Sequence, residues 1–331
     1  MTTTRTTRTA TGETVQEVRP GRTLFLRREA IGEAPPLCNL VFLHGTCGAS
    51  SQFDGVLDEL RRKDISSSNA SSLRCVCYLY DAVGCGQSPI IPDDDDDDEA
   101  AYSTDEAIED LKALLPSKKS KGVFGSMTGN DQEFSPHDKS SVLPTIVIAH
   151  SYAPTCVVRY LHRHQSDGVG TIRGCVFLSS AIRSDKNPSP DGGHPIFAEK
   201  TLEELRSMQA SLTAGFVDLA YHSDTESAVK EKAVVFNNRN DIFVARAYQR
   251  AHHWSTKEEC ESVRASRIPV CVVHGKDDKI VPCEAGEELA DAVGASDRVW
   301  VDQASHNIME ERPREVAVAI VSFIGRLSLC P

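Results

Sequence analysis

The stretch from Val142 to His164, VLPTIVIAHSYAPTCVVRYLHRH, sets the tightest bound on the fold. Thr145 to Ala149 is an uncharged, β-branched run without polar alternation, which predicts a strand buried on both faces. Beyond it, Ala153, Cys156, Val157, Tyr160 and Leu161 fall at the i, i+3, i+4, i+7 and i+8 spacing of an amphipathic helix. A doubly buried strand that turns at once into such a helix belongs in a parallel sheet with helices layered over it. Ser151 stands in the turn, two residues from Ala149 and two from Ala153. A serine on a tight strand-to-helix turn between small residues has the layout of a nucleophile elbow. The turn pushes the hydroxyl clear of the sheet, and the new helix aims its first amides at any oxyanion formed there. The usual string has glycine at both flanking positions; here both are alanine.

Similar units recur along the chain. LCNLVFLHG (Leu37 to Gly45) is a buried strand that runs into His44-Gly45-Thr46-Cys47-Gly48, and Gln52 to Arg62 follows as a helix with Phe53, Val56, Leu57 and Leu60 on one face. The glycine loop is either a plain turn or a place where backbone amides face a ligand. LRCVCYLYDA ends at Asp81 and opens into Gly84-Cys85-Gly86. A dinucleotide loop is excluded there, because the third glycine is missing and Pro89 with Ile90 and Ile91 does not begin a helix. Ser103-x-x-Glu106 is a capping box leading a helix that turns Ile108, Leu111 and Leu115 inward. Gly174 to Ala181, Ile268 to Gly275 and RVWVD supply later strands, and helices follow over Glu284 to Val293 and Pro313 to Leu327. TLFLRREAI, from Thr23, reads as an early edge strand. Alternating strands and helices predict an α/β fold, a mainly parallel sheet covered on both faces.

Two regions break the pattern. Residues 1–22 are rich in threonine and arginine and predict a disordered tail or, since the first twelve carry arginine and no acid, a short targeting segment. Residues 183–266 are mostly helical between two core strands. Thr201-x-x-Glu204 caps a helix there with Leu205, Met208, Leu212, Phe216 and Leu219, and another helix runs from Asp241 to Trp254. The expected organisation is therefore a tail over 1–22, a core from 23–182 and 267–331, and a helical cap over 183–266, placed at the strand ends to cover a site. Ser117 to Ser141 is polar and aperiodic and reads as a surface insertion.

Charge and cysteines exclude several classes. A net charge of −12 argues against a nucleic-acid partner, though part of it is the solvated run Asp93 to Asp98, which lacks the spaced ligands of a calcium loop. No apolar run is long enough to span a bilayer. Eleven cysteines, odd in number and without zinc-ligand spacing, read as free thiols in a reducing compartment, the cytoplasm, with the mitochondrion as the alternative if the tail targets. Cys75 and Cys77 point to one strand face and do not bridge. His252, His253 and Trp254 line a pocket or pack; adjacent histidines make a poor metal site, and none is expected.

A serine hydroxyl needs a base to attack a carbonyl, and the base needs an orienting carboxylate. The chain offers Ser151 at an elbow, Asp277 and Asp278 after a late strand, and His306 after the next, each at a strand's carboxyl end. Four motifs, HGTCG at 44–48, DAVGCGQS at 81–88, AHSYA at 149–153 and the pair GKDDKIVP at 275–282 with SHNIMEERP at 305–313, make the chain from Thr23 to Leu327 resemble the α/β-hydrolase superfamily, and within it the abhydrolase-domain serine hydrolases. The resemblance implies Ser151 as nucleophile, His306 as general base and then acid, and Asp278 as the triad acid, with Asp277 its rival. It implies an oxyanion hole from the backbone amides of Thr46 and Tyr152, structural roles for His44, His150, Asp81 and Ser88, and no metal or organic cofactor. A serine nucleophile argues against epoxide hydrolysis or dehalogenation. The reaction implied is hydrolysis of a small-molecule carboxylic ester, lipid-like or a small acyl ester, with the cap's leucine, methionine and phenylalanine stripe forming an apolar acyl pocket. Rivals are acyl transfer, for which acyltransferase-like members carry an aspartate where Glu311 stands here, a proline-directed peptidase, and a hydrolase-shaped binding protein without turnover.

Overall fold

The computed structural model describes residues 12–32, 35–62, 64–65, 73–91, 99–116, 122–127, 143–164, 171–184 and 193–327. In chain order the elements are β1 (Gly12–Arg19), β2 (Arg22–Ile31), β3 (Cys38–Leu43), α1 (Asp54–Leu60), β4 (Cys75–Asp81), α2 (Thr104–Leu114), α3 (Gly122–Ser126), β5 (Thr145–His150), α4 (Ala153–Arg163) and β6 (Ile172–Leu178). Then come α5 (Ile196–Glu199), α6 (Leu202–Ala220), α7 (Ser227–Asn237), α8 (Ile242–Arg250), α9 (Lys257–Ser266), β7 (Val270–Gly275), α10 (Cys283–Val293), β8 (Asp297–Val301), α11 (Ile308–Glu311) and α12 (Pro313–Arg326).

The eight strands form one sheet in the order β1-β2-β4-β3-β5-β6-β7-β8, with β1 and β2 antiparallel to their neighbours and the rest parallel. Every residue of β3, β5 and β7 is buried, as their uninterrupted apolar runs require. Alternate residues divide between the two faces. Val147 and Ala149 join the core under α2, α4, α9 and α10 with Leu111, Val157, Val263 and Leu289, while Ile146 and Ile148 join the opposite core under α1 and α12 with Leu57, Val316, Ile320 and Phe323. Helices α5 to α9 form the helical insertion between β6 and β7. The sheet winds outward in both directions from β3 and β5, so the loops after β3, β5, β7 and β8 open on one edge, where such sheets bind ligands.

Several expectations need correction. Residues 1–22 are not tail throughout: Gly12–Arg19 is a strand pairing with β2 from Gly12↔Arg28 to Arg19↔Arg22. Its sequence hid this, because a strand at the sheet's edge with Val15 54% exposed carries little apolar alternation. Side chains anchor it: the Nε atoms of Arg19 and Arg22 donate to the Asp110 carboxylate at 2.7 and 2.8 Å, and Arg19 also pairs with Glu106. Consequently β2 is interior, pairing with both β1 and β4. Ser103 caps α2 by accepting from the Glu106 amide, but the Glu106 carboxylate meets Arg19, so the reciprocal half of the expected box is absent. The polar insertion contains α3, whose Phe124 is buried against Tyr78 at 4.9 Å. The Asp93 to Asp98 run lies outside the described residues.

The stripe predicted for α6 is also only partly right. The helix buries Leu205, Thr213, Val217 and Ala220, whereas Leu219 is 47% exposed. Its inward end packs in a small cluster with Tyr221 and Ala233 of α7. The buried face is therefore set by small and β-branched residues beside the bulky ones.

Candidate active site

Ser151 follows the last residue of β5 with φ +57°, and its amide donates to the Leu178 carbonyl at 2.9 Å. A non-glycine residue in the left-handed region costs backbone energy, and the turn made there aims the hydroxyl off the sheet. The close approach needing glycine comes from across the turn. A Cβ on Gly45 would lie 2.7 Å from the Ser151 Cβ and 3.3 Å from its Oγ. Ala149 and Ala153 are both buried without disturbing this turn.

The Ser151 hydroxyl lies 2.9 Å from His306 Nε2, and His306 Nδ1 lies 2.9 Å from Asp278 Oδ2. A carboxylate at Nδ1 holds the proton there and leaves Nε2 free to accept from the serine. All three side chains are buried. Asp278 is fixed at its other oxygen, which accepts from the Ile280 and Val281 amides at 2.9 and 2.8 Å. Burial alone would push its pKa up, but the charge of His306 and hydrogen bonds from His274 and His306 hold it well below the usual carboxylate range. Asp277, one residue earlier, is 48% exposed and faces His222 at 3.8 Å. The fold thus brings Asp278, and not its neighbour, to the histidine.

Thr46 and Tyr152 flank the serine from two loops. Among the described residues neither backbone amide has a hydrogen-bond acceptor. The glycine loop is a built turn: the Gly48 amide donates to the Gly45 carbonyl at 3.0 Å, and Cys47 has φ +56°. A Cβ on Gly48 would strike Gln52 Oε1 at 2.4 Å. His44 donates from Nδ1 to the Gly45 carbonyl at 2.7 Å and accepts at Nε2 from the Ala82 amide at 2.9 Å, the pattern of a neutral ring, and burial lowers its basicity accordingly. His150 donates from Nε2 to the His306 carbonyl at 3.0 Å; burial, reinforced by His306, lowers its pKa to about 3. Asp81 accepts from the Ser50 and Gln87 amides at 2.7 and 2.8 Å, and Ser88 accepts from the Phe25 amide. These four groups tie loops together. The Cys47 thiol, pushed up to about 12 by burial, stays protonated. Among the described residues no His, Cys, Asp or Glu group is arranged to hold a metal ion.

Sequence reasoning missed the roles of four side chains. His274, fully buried at the end of β7, donates from Nε2 to the Val281 carbonyl at 2.9 Å and sits 3.4 Å from Asp278 Oδ2; a Cβ on Gly286 would leave it no room. Its place four residues before Asp278 was the available signal. The Tyr152 side chain reaches away from the serine, bonds to Thr104 and lies 3.2 Å from the His253 amide, tying the elbow to the end of α8. Glu310 and Glu311 bind the histidine loop to the helical insertion. Tyr221 donates to Glu310 at 2.6 Å, while Glu311 accepts from the Ser305 and His222 amides and the Thr225 hydroxyl at 2.6–2.7 Å.

Comparison with known proteins agrees with this architecture. The alpha/beta hydrolase family profile matches residues 40–319. A 111-residue stretch, 31% of this chain and 38% of the relative, is 30% identical to 2-hydroxy-6-oxo-6-(2'-aminophenyl)hexa-2,4-dienoic acid hydrolase of Metapseudomonas resinovorans. Human Protein ABHD8 is 29% identical over 113 residues, 34% of this chain and 24% of its own. The matches thus span well under half of either relative. The esterase RhEst1 of Rhodococcus sp. ECU1013 superposes over 96% of this chain and 100% of its own with a TM-score of 0.65 and 21% identity, a likeness of fold. No helix among the described residues is long and apolar enough to cross a membrane. With the profile covering most of its length and the strand order, elbow and loops in agreement, the chain belongs to the alpha/beta hydrolase family.

Proposed function

We propose that this protein is a serine hydrolase that cleaves a carboxylic ester of a small molecule through an acyl-enzyme intermediate. The observation that carries the reading is the line of contacts Ser151 Oγ, His306, Asp278, at 2.9 Å on each side of the imidazole. His306 takes the serine proton as Ser151 attacks the ester carbonyl, and Asp278 stabilises the imidazolium that forms. The Thr46 and Tyr152 amides receive the negative charge on the carbonyl oxygen; losing one such donor typically costs about 3 kcal/mol of transition-state stabilisation. His306 then returns the proton to the leaving alcohol, and a water activated by the same ring releases the acid. The ten described cysteines are free, which fits a reducing compartment such as the cytoplasm.

Acyl transfer to another acceptor is less well supported. The Glu311 carboxylate, at the position that bears on that reading, is occupied at both oxygens by Ser305, His222 and Thr225. A binding protein without turnover would not need a serine held at φ +57° against an aligned imidazole. Fluorophosphonate labelling tests the reading directly. The purified protein should label and hydrolyse activated acyl esters, and Ser151→Ala should lose both, with kcat falling on the order of 10⁴–10⁶-fold. A folded protein that never labels would sink the proposal.

A further inference from the structure

A cavity of about 40 Å³ lies beside the oxyanion loop, and we infer that it is the acyl pocket and selects esters of short acyl groups, two to four carbons long. The inference rests on the serine hydrolase reading and deepens it. Gly45, Thr46 and Tyr152 line the cavity while Ser151 does not, so it lies next to the serine on the side of the residues whose amides would hold the carbonyl oxygen. Gly45 itself abuts the Ser151 side chain, as the 3.3 Å from its would-be Cβ to the serine Oγ shows. His306 does not line it. The ring that protonates the leaving alcohol marks the alcohol's side of the carbonyl, which leaves this cavity on the acyl side.

Its size then sets the substrate. A single water needs roughly 10–15 Å³ of such space, so the cavity holds about three waters, or a short alkyl group of comparable bulk, and no long chain. The walls are poorly placed to yield. Tyr102 is fully buried, with its ring edge-on to Tyr248 and Phe243 at 5.4 and 5.8 Å. Tyr248 is tied to the Val83 carbonyl at 2.9 Å, and Tyr152 is held by Thr104 with its ring 4.0 Å from that of His252. Ala153, where an elbow commonly carries glycine, lines the cavity and adds a methyl to its wall. The stripe on α6 does not enlarge the space, since none of its residues lines the cavity. A larger cleft of about 450 Å³ between α9 and α10, lined by Arg183, Lys257, Arg264 and Glu288, touches none of the site residues.

The test is a chain-length series with one leaving group: p-nitrophenyl acetate, butyrate and octanoate, read as kcat/KM. Acetate and butyrate should exceed octanoate by about tenfold or more, the scale on which an apolar pocket discriminates by methylenes. Tyr248→Ala should raise octanoate relative to acetate, and Ala107→Leu, which fills the cavity from α2, should depress butyrate relative to acetate. The second variant keeps the test decisive if the first fails to fold. A wild-type protein that labels with fluorophosphonate yet cleaves octanoate as fast as acetate, or an Ala107→Leu profile that does not move, overturns the pocket and leaves the serine hydrolase intact. No labelling and no turnover of any ester overturns both.

Discussion

The strand-end loops and the helices above them are held by different physics. Ser151, Asp278 and His306 hang from the ends of β5 and β7, which are wholly buried, and of the edge strand β8, and their backbone is fixed by bonds such as Ser151 to Leu178 and Asp278 to Gly275. The helical insertion has a small apolar cluster of its own. It is fastened to the site by side-chain hydrogen bonds: Asn240 to the Cys47 carbonyl at 2.8 Å, Tyr221 to Glu310, Thr225 to Glu311 and Tyr152 to His253. The sheet sets the reacting geometry, and the insertion supplies walls and polar ties that touch each of the site's loops.

The largest test of that contrast is at the acid. Asp278→Asn should lower kcat on the order of 10⁴-fold by stabilising the wrong histidine tautomer. Asp277→Asn, at a half-exposed position facing His222, should leave kcat within about threefold, as a surface change does. Steady-state kinetics on one activated ester measures both. Gly45→Ala comes next: its Cβ would lie 2.7 Å from that of Ser151, so the loop or the elbow must shift. A displacement of about 1 Å at such a site costs on the order of 100-fold in rate, and crystal structures of the variant would show which side moved.

The ties of the insertion should cost stability before activity. Glu311→Ala leaves the Ser305 and His222 amides and the Thr225 hydroxyl without their acceptor, which predicts a loss of about 2–4 kcal/mol in urea unfolding. Tyr221→Phe removes one bond to Glu310 and should cost about 1 kcal/mol. If either variant instead abolished turnover at full stability, the division of labour between sheet and insertion would be wrong.

The last expected effect is on acid stability. His150 and His252 are lowered by burial from 6.5 to about 3. The unfolded chain takes up these protons below pH 6.5 while the folded one resists until about pH 3. Stability should therefore fall as the pH drops through that window, by up to about 1.4 kcal/mol per pH unit for each ring. Asp278 is depressed, so its contribution is full above the ordinary aspartate pKa of about 3.9 and is lost only at lower pH, as the pH falls through its folded value. Urea midpoints at pH 7.5 and 5.5, for wild type and His252→Phe, should show a shallower pH dependence in the variant.

Much of this was readable in the chain. An uninterrupted β-branched run such as Thr145 to Ala149 fits only a doubly covered strand, and the period from Ala153 to Leu161 fits only a helix, so the parallel sheet and the elbow followed from local pattern. The order of serine, aspartate and histidine at strand ends pointed to the same residues the fold gathers. Legibility failed where long-range contacts override local signals. The strand Gly12–Arg19 carries almost no pattern, because an exposed edge strand is held by backbone pairing and by arginines meeting a distant Asp110. The buried face of α6 was misjudged because a small partner, Ala233 of α7, selects Val217 and Ala220 over bulkier neighbours.

The sequence by itself determined the kinds of element, their order and the chemical types available at each strand end, since those depend on periodicity and on turn residues. Only the tertiary structure decided between Asp277 and Asp278, because adjacent residues leave the chain in different directions and the choice rests on which one meets an imidazole 28 residues away. It alone brought His274 beneath Asp278, and it alone left a 40 Å³ space beside the oxyanion loop, lined by none of the cap stripe that was expected to form the acyl pocket. Volume and side-chain direction arise from packing between elements, and no local pattern encodes them.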